Sequence, residues 1–288
     1  MTTETVTVTE AGVYDRMPED VYHADPVPGG SLSASGAKLL LPPSCPAKYW
    51  HERCFPRPRR AFEYGSAAHK LVLGSGPEIV LVDEENWRKK AAQDARDEAR
   101  RNGCIPLLLA ELGEIEQMAM ALRKHPVASG LLDPESGDPE QSLFWADEDA
   151  GIWRRARLDW LRAKAPGRLI IPDYKTCDQA DAASVRRAVA SYSYGMQAAQ
   201  YTDGVRALGL DDDPAFLLIF QEKQAPYLVH VICLEDDVIE AGRKRLRDAC
   251  EIWRDCTAAG CWPGYADQDI TYVSLPPWAL RTNEGDPQ

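Results

Sequence analysis

Between positions 140 and 259 the sequence alternates short runs of branched and aromatic residues with longer helical stretches. Strand-type segments occupy 140–146 (EQSLFWA), 151–161 (GIWRRARLDWL) and 168–175 (RLIIPDYK). Turn chemistry separates them at Asp147–Gly151 and at Ala165-Pro166-Gly167. A helix over 179–208 is closed by Gly209, and strands over 215–222 and 227–234 are split by Gln224-Ala225-Pro226. A long helix covers 236–259. This order predicts an α/β core, with the first three strands as an antiparallel meander.

Upstream the pattern is helical. A helix capped by Ser33 or Ser35 ends at Pro42-Pro43, and others are expected over 46–53, 62–74, 83–102 and 106–124. In the 62–74 helix, Gly65, Ala68 and His69 leave one side narrow, so it can approach another element closely. The stretch FPRPRR (55–60) reads as extended and basic, and 262–281 as irregular. The expected organisation is a disordered tail over 1–12, a single domain over 13–281 and a tail over 282–288. Within the domain, a helical part (30–130) precedes the core (138–260).

Composition narrows the function. No apolar run approaches the roughly 20 residues that span a bilayer, and the start, MTTETVTVTE, lacks the basic and apolar blocks of a secretory signal. A cytoplasmic protein without membrane partners is expected. The eight cysteines include no CxxC pair. Cys45, Cys250, Cys256 and Cys261 match no ferredoxin spacing, so buried thiols are expected and an iron–sulfur cluster is not. A net charge of −12 argues against a surface coated for nucleic acid but allows one basic channel. Arg154, Arg155 and Arg157 are the candidates to line it.

Side chains alternate across a strand, so Ile171, Asp173 and Lys175 share one face, as do Arg155, Arg157 and Asp159 on the strand before. A turn near Pro166-Gly167 would bring Asp159 and Asp173 together. Two carboxylates so placed repel unless a cation lies between them, and oxygen ligands suit a hard cation such as Mg²⁺. A lysine beside them can position the attacking water and offset charge on a phosphate. A surface ion pair at a strand end is the plain alternative for Asp173 and Lys175.

Taken in order, four motifs resemble the PD-(D/E)xK nuclease superfamily, in its RecB-like branch. They are His69 in GSAAHKL, Asp159, Asp173-Tyr174-Lys175, and the Gln197…Tyr201 pair, one helical turn apart. Further segments are similar to the phage and prophage exodeoxyribonuclease VIII (RecE-like) group: Ser33, Ser35, Lys38, Leu40 and Leu41, then PAKYW (46–50), Arg157–Trp160, and WPGY (262–265).

The resemblance implies a restriction-endonuclease-like core, a mixed sheet of about five strands flanked by helices. It implies a metal held by His69, Asp159, Asp173 and the main-chain carbonyl of Tyr174, with Mg²⁺ expected and Mn²⁺ as a substitute. Lys175 would orient the water, while Gln197 and Tyr201 would steady the lysine or touch DNA. Glu140 is either a further ligand or a solvent-facing glutamate at a strand start. Leu158 precedes the first acid where the family name has proline, and Pro172 instead precedes the second; its missing donor leaves a gap in that strand.

The implied activity is an exonuclease on linear double-stranded DNA ends, 5′ to 3′, in phage-type recombination. Its implied partners are a RecT-like single-strand annealing protein and further copies in a ring. An endonuclease of the same superfamily and a DNA-binding module without catalysis are the alternatives.

Overall fold

The computed structural model describes residues 6–55, 60–163, 167–266 and 270–276. The expected tails over 1–5 and 282–288, most of FPRPRR and the turn residues 164–166 lie outside them. In chain order the elements are β1 (Gly12–Tyr14), α1 (Glu19–Ala24), α2 (Ala34–Leu40), α3 (Pro46–Cys54), α4 (Arg60–Leu73), β2 (Ile79–Val82), α5 (Lys90–Arg101), β3 (Ile105–Leu108), α6 (Leu109–Lys124) and α7 (Pro126–Leu131). There follow β4 (Gly137–Asp147), β5 (Ile152–Arg162), β6 (Ile170–Cys177), α8 (Ala182–Ser191), α9 (Tyr194–Ala207), β7 (Ala215–Glu222), β8 (Val229–Cys233) and α10 (Asp236–Ala259).

Two three-stranded sheets form the centre, ordered β1-β4-β5 and β6-β7-β8, with β5 and β6 side by side. The mixed character expected from the sequence is present: β6 pairs parallel with β7 through the α8–α9 crossover, and β8 returns antiparallel. The expected meander stops after one hairpin. β4 and β5 form a long antiparallel ladder, but no ladder joins β5 to β6 among the described residues. The cause is local. The Tyr174 N–H on that edge is taken by the Asp159 carboxylate, and Pro172, two residues earlier on the same edge, has no N–H to give.

The β4–β5 hairpin is buried on both faces. Leu143, Trp145, Ala156 and Leu158 join the main core with Ile171, Phe216, Leu218 and Val205. Phe144 points the other way, into a small cluster with Val8, Met17, Tyr22 and Val27. The tail expected over 1–12 therefore needs correcting for its described part. Val8 is fully buried, its N–H donates to Pro26 O, and Gly12–Tyr14 extend the sheet as β1.

Other boundaries shift for readable reasons. The helix expected over 83–102 starts later, after β2, and the one expected over 106–124 is preceded by β3, which pairs parallel with β2. The single helix expected over 179–208 is two, broken where Ser193 takes a left-handed φ of 52°. The early and late aromatic motifs meet. Trp253 Nε1 donates to Tyr49 Oη at 2.8 Å, and Trp50 stacks on Trp262. These contacts clamp α3 against α10 and the segment that follows it. Cys250 and Cys256 are buried on α10 as core thiols.

Candidate active site

Small residues bring the first functional helix into place. Ala67 and Ala68 are fully buried, and Gly65 lies over Thr176 of β6, so α4 sits close to the strand that carries Asp173 and Lys175. His69 follows on that helix. Its Nδ1 lies 3.7 Å from Asp159 Oδ2, and its ring meets Tyr174 edge to face. Asp159 Oδ2 also accepts the Tyr174 N–H at 2.7 Å.

Glu140 completes the group. Ligand atoms of His69, Glu140 and Asp159 all lie within 4.8 Å of one another. The β4–β5 register runs from Gly137↔Arg162 to Asp147↔Ile152 but leaves Glu140 and Asp159 unpaired, and Glu140 has a φ of 54°. That left-handed backbone is costly for a residue with a Cβ, and such distortions re-aim side chains beside functional sites. Of the two positions left open by the sequence, Glu140 is not solvent-facing: its carboxyl is largely buried and turned toward His69 and Asp159. Arg157 Nε holds the other side of Glu140 at 2.6 Å.

Asp173 is fully buried next to this trio. Gln197 Nε2 donates to its Oδ1 at 2.8 Å, and Lys175 Nζ meets its Oδ2 at 2.5 Å. Gln197 thus steadies the lysine at one remove, through Asp173. Tyr201 lies deeper. Its ring packs edge to face on Phe216 in the core, adjoining Gln197, so it supports the site from behind and presents no surface to DNA.

The charges are out of balance in a telling way. Burial raises the pKa of Asp159, and burial with its Asp159 neighbour raises Glu140. Burial pushes Asp173 up to about 6, against the pull of Lys175. Burial then Lys175 hold His69 below the usual imidazole value, favouring the neutral ring that ligates metals. Burial opposes the Lys175 ammonium, yet Asp173 and Asp159 outweigh it and its pKa is raised. Three converging carboxylates against the Lys175 ammonium and the Arg157 guanidinium on Glu140 leave an excess of one negative charge, which a divalent cation would relieve. The donors present, two carboxylates and an imidazole with Asp173 and the Tyr174 backbone adjacent, fit such an ion.

The arginines depart from expectation. Arg154 is buried, with its guanidinium on Asp147, Asp203 and Gln200. Arg155 is buried against Asp25 and Ser31, and Arg157 is held by Glu140, Ser142 Oγ and Met17 O. Arg154 and Arg155 are thus held inside the protein, while Arg157, also held by internal partners, stands part-buried on the wall of a cleft with Glu140. Their acid partners lie far away in sequence, so the strand alone gave no sign of this. Tyr194, by contrast, went unnoticed. Its ring centre lies 5.7 Å from Lys175 Nζ, and its place one helical turn before Gln197 was the available signal.

Residues 33–274 match the model of a family described as a PDDEXK-like domain of unknown function (DUF3799). The chain belongs to this family. The PDDEXK-like domain thereby takes in His69, Glu140, Asp159, Asp173, Lys175 and Gln197. Among solved structures, it is similar to a Eubacterium rectale protein described as "Putative exonuclease", with 13% identity and a TM-score of 0.58 over 88% of this chain and 93% of that one. This supports the shared fold. The structure of SSO0001 aligns more loosely, at 13% identity and a TM-score of 0.29, over 68% of this chain and 87% of that one. No curated protein matches the PDDEXK-like domain by sequence. Among its described residues no helix is long and apolar enough to cross a membrane.

Proposed function

We propose that this PDDEXK-like protein is a metal-dependent deoxyribonuclease that hydrolyses linear double-stranded DNA from its ends, 5′ to 3′. The observation that carries the reading is the meeting of His69, Glu140 and Asp159 beside the Asp173–Lys175 pair. His69, Glu140 and Asp159 would hold the ion, with Asp173 and the Tyr174 carbonyl at hand. Mg²⁺ suits the carboxylates, and Mn²⁺ suits the added imidazole equally well. When bound, the ion supplies Lewis-acid polarisation of the phosphate and neutralises the carboxylates.

The protein's own groups do the rest. Lys175 is an ammonium here, hence a donor: it orients the attacking water by hydrogen bond and offsets charge developing on the phosphate. Asp173 fixes the lysine, and Gln197 fixes Asp173. The order of the motifs, similar to that of RecE-like nucleases, supports the choice of DNA ends. The same likeness supports a role in phage-type recombination in a bacterial cytoplasm, assembly as a ring, and work with a single-strand annealing protein.

The test is cleavage of linear and covalently closed circular DNA, with Mg²⁺ or EDTA, by the protein and by Asp173→Ala. Loss of linear DNA alone, dependent on Mg²⁺ and Asp173, is expected. Cutting of the circle would replace the end-directed reading with an endonuclease, and no cleavage with Mg²⁺ or Mn²⁺ would remove the enzyme reading.

A further inference from the structure

A second lysine reaches the same aromatic ring as Lys175. Lys38, on α2, places its Nζ 5.4 Å from the centre of the Tyr194 ring, the ring that Lys175 Nζ approaches to 5.7 Å. Two ammonium groups therefore share one phenol. The charges that reach Lys38 are Lys175 and Asp173, and Asp173 is already in contact with Lys175 and Gln197. Among the described residues, no carboxylate forms an ion pair with Lys38.

This lysine is not a loose surface group. It is part-buried, and burial followed by repulsion from Lys175 brings its pKa down to about 8. Its helix is fixed on several sides. Ala37 and Leu40 are buried in a cluster with Met196 of α9 and Leu246 and Trp253 of α10, and Gly36 lies under the Tyr49 ring. The chain thus holds a cation near another cation, and the one acid that reaches both, Asp173, is already engaged by Lys175 and Gln197. Like charges so placed call for an anion, by the argument that calls for a cation among the carboxylates. The arginine cluster at 154–157 cannot serve, since its guanidiniums are already held by internal partners.

We propose that Lys38 holds a backbone phosphate of the substrate strand against Lys175, forming with Tyr194 an anion-binding part of the site distinct from His69, Glu140 and Asp159. The proposal rests on the nuclease reading. It deepens that reading by assigning strand binding to the N-terminal helix α2. A phosphate in this place faces Lys175 and lies over a phenol that also offers a hydroxyl donor.

The experiment compares the full-length protein with Lys38→Met, which keeps the aliphatic stem over Tyr194 but removes the charge, and with Lys38→Arg. Binding of a fluorescently labelled linear duplex is measured by anisotropy in Ca²⁺ over a range of salt. Cleavage in Mg²⁺ is measured alongside. Lys38→Met is expected to weaken binding about tenfold and to lower the slope of log K against log salt by about 0.9, the value for one lost phosphate contact. KM rises in parallel, and Lys38→Arg recovers most of the loss.

Wild-type affinity and salt slope in Lys38→Met would overturn the proposal. Weaker binding with an unchanged slope would overturn it too, since the lysine would then be only a packing group. Should Lys38→Met fail to fold by circular dichroism, Lys38→Gln carries the same comparison. The binding arm needs no turnover, so a wild type that binds but does not cleave would count against the nuclease reading and leave Lys38 to be judged on its slope.

Discussion

Glu140 faces Asp159 across the β4–β5 hairpin at the position where the ladder skips a pair, and Glu140 pays for that placement with a left-handed backbone. The strain makes sense if the two carboxylates and His69 close on one ion. Glu140→Gln keeps the shape and a hydrogen bond to Arg157 but removes the charge. It is expected to raise the Mg²⁺ concentration for half-maximal cleavage by roughly 10–100-fold, the range seen when groups around a metal are altered. A metal titration of cleavage decides this. An unchanged titration would return Glu140 to the role of an Arg157 partner.

The buried acids also make stability depend on pH and metal. A carboxyl raised from 3.8 to about 6 in the folded state, as Asp173 is, binds its proton more tightly folded than unfolded. Its contribution is full below pH 3.8 and is lost as pH rises through about 6. Asp159 and Glu140 are shifted the same way. Without metal, these groups lower Tm between about pH 4 and 6, and Asp173→Asn removes part of that fall. Added Mg²⁺ binds only the folded site, so it raises Tm more at pH 7 than at pH 4.5. Thermal melts with Mg²⁺ and with EDTA at the two pH values test the sign.

Local pattern made the strand that carries Asp173 and Lys175 legible. The alternation of Ile171, Asp173 and Lys175, the helical pairing of Gln197 with Tyr201 and the narrow face around His69 depend on near neighbours. What was lost depended on partners distant in the chain. Arg154 and Arg157 read as a basic surface because Gln200, Asp203 and Met17 are invisible from their own strand. The strand Ile105–Leu108 was absorbed into a helix because a four-residue apolar run at a helix start fits both periods. Ile79–Val82, its parallel partner, is as short and precedes a highly charged segment.

The buried arginines carry their own expectation. Arg154 holds Asp147 at 2.7 Å, Asp203 at 3.2 Å and Gln200 at 2.7 Å. Arg154→Met leaves Asp147 without its cation, while Asp203 keeps Arg243 at 3.0 Å, and should cost about 3 kcal/mol, the low end for a broken buried pair. Urea unfolding measures the loss. At temperatures where the variant stays folded, its salt dependence of DNA binding should equal that of the wild type, which a channel-lining arginine would not allow.

The crossing of α9 and α10 links packing to catalysis. A Cβ on Gly242 would lie 2.1 Å from the Gly195 carbonyl carbon and 2.5 Å from Met196 N, so Gly242→Ala forces two backbones apart. The cost should be about 1–3 kcal/mol, typical of overpacking. Gln197 stands two residues beyond Gly195 and holds Asp173, so the displacement reaches the Lys175 pair. Gly242→Ala should therefore lower kcat even where circular dichroism shows it fully folded. Gly113→Ala is the control: it sits on α6, where a Cβ meets nothing within 4 Å, and should be neutral or slightly stabilising with unchanged kcat. Equal effects of the two substitutions, or a Gly242→Ala variant that is less stable but cleaves at the wild-type rate, would show that the helix crossing serves the fold without setting the position of Gln197.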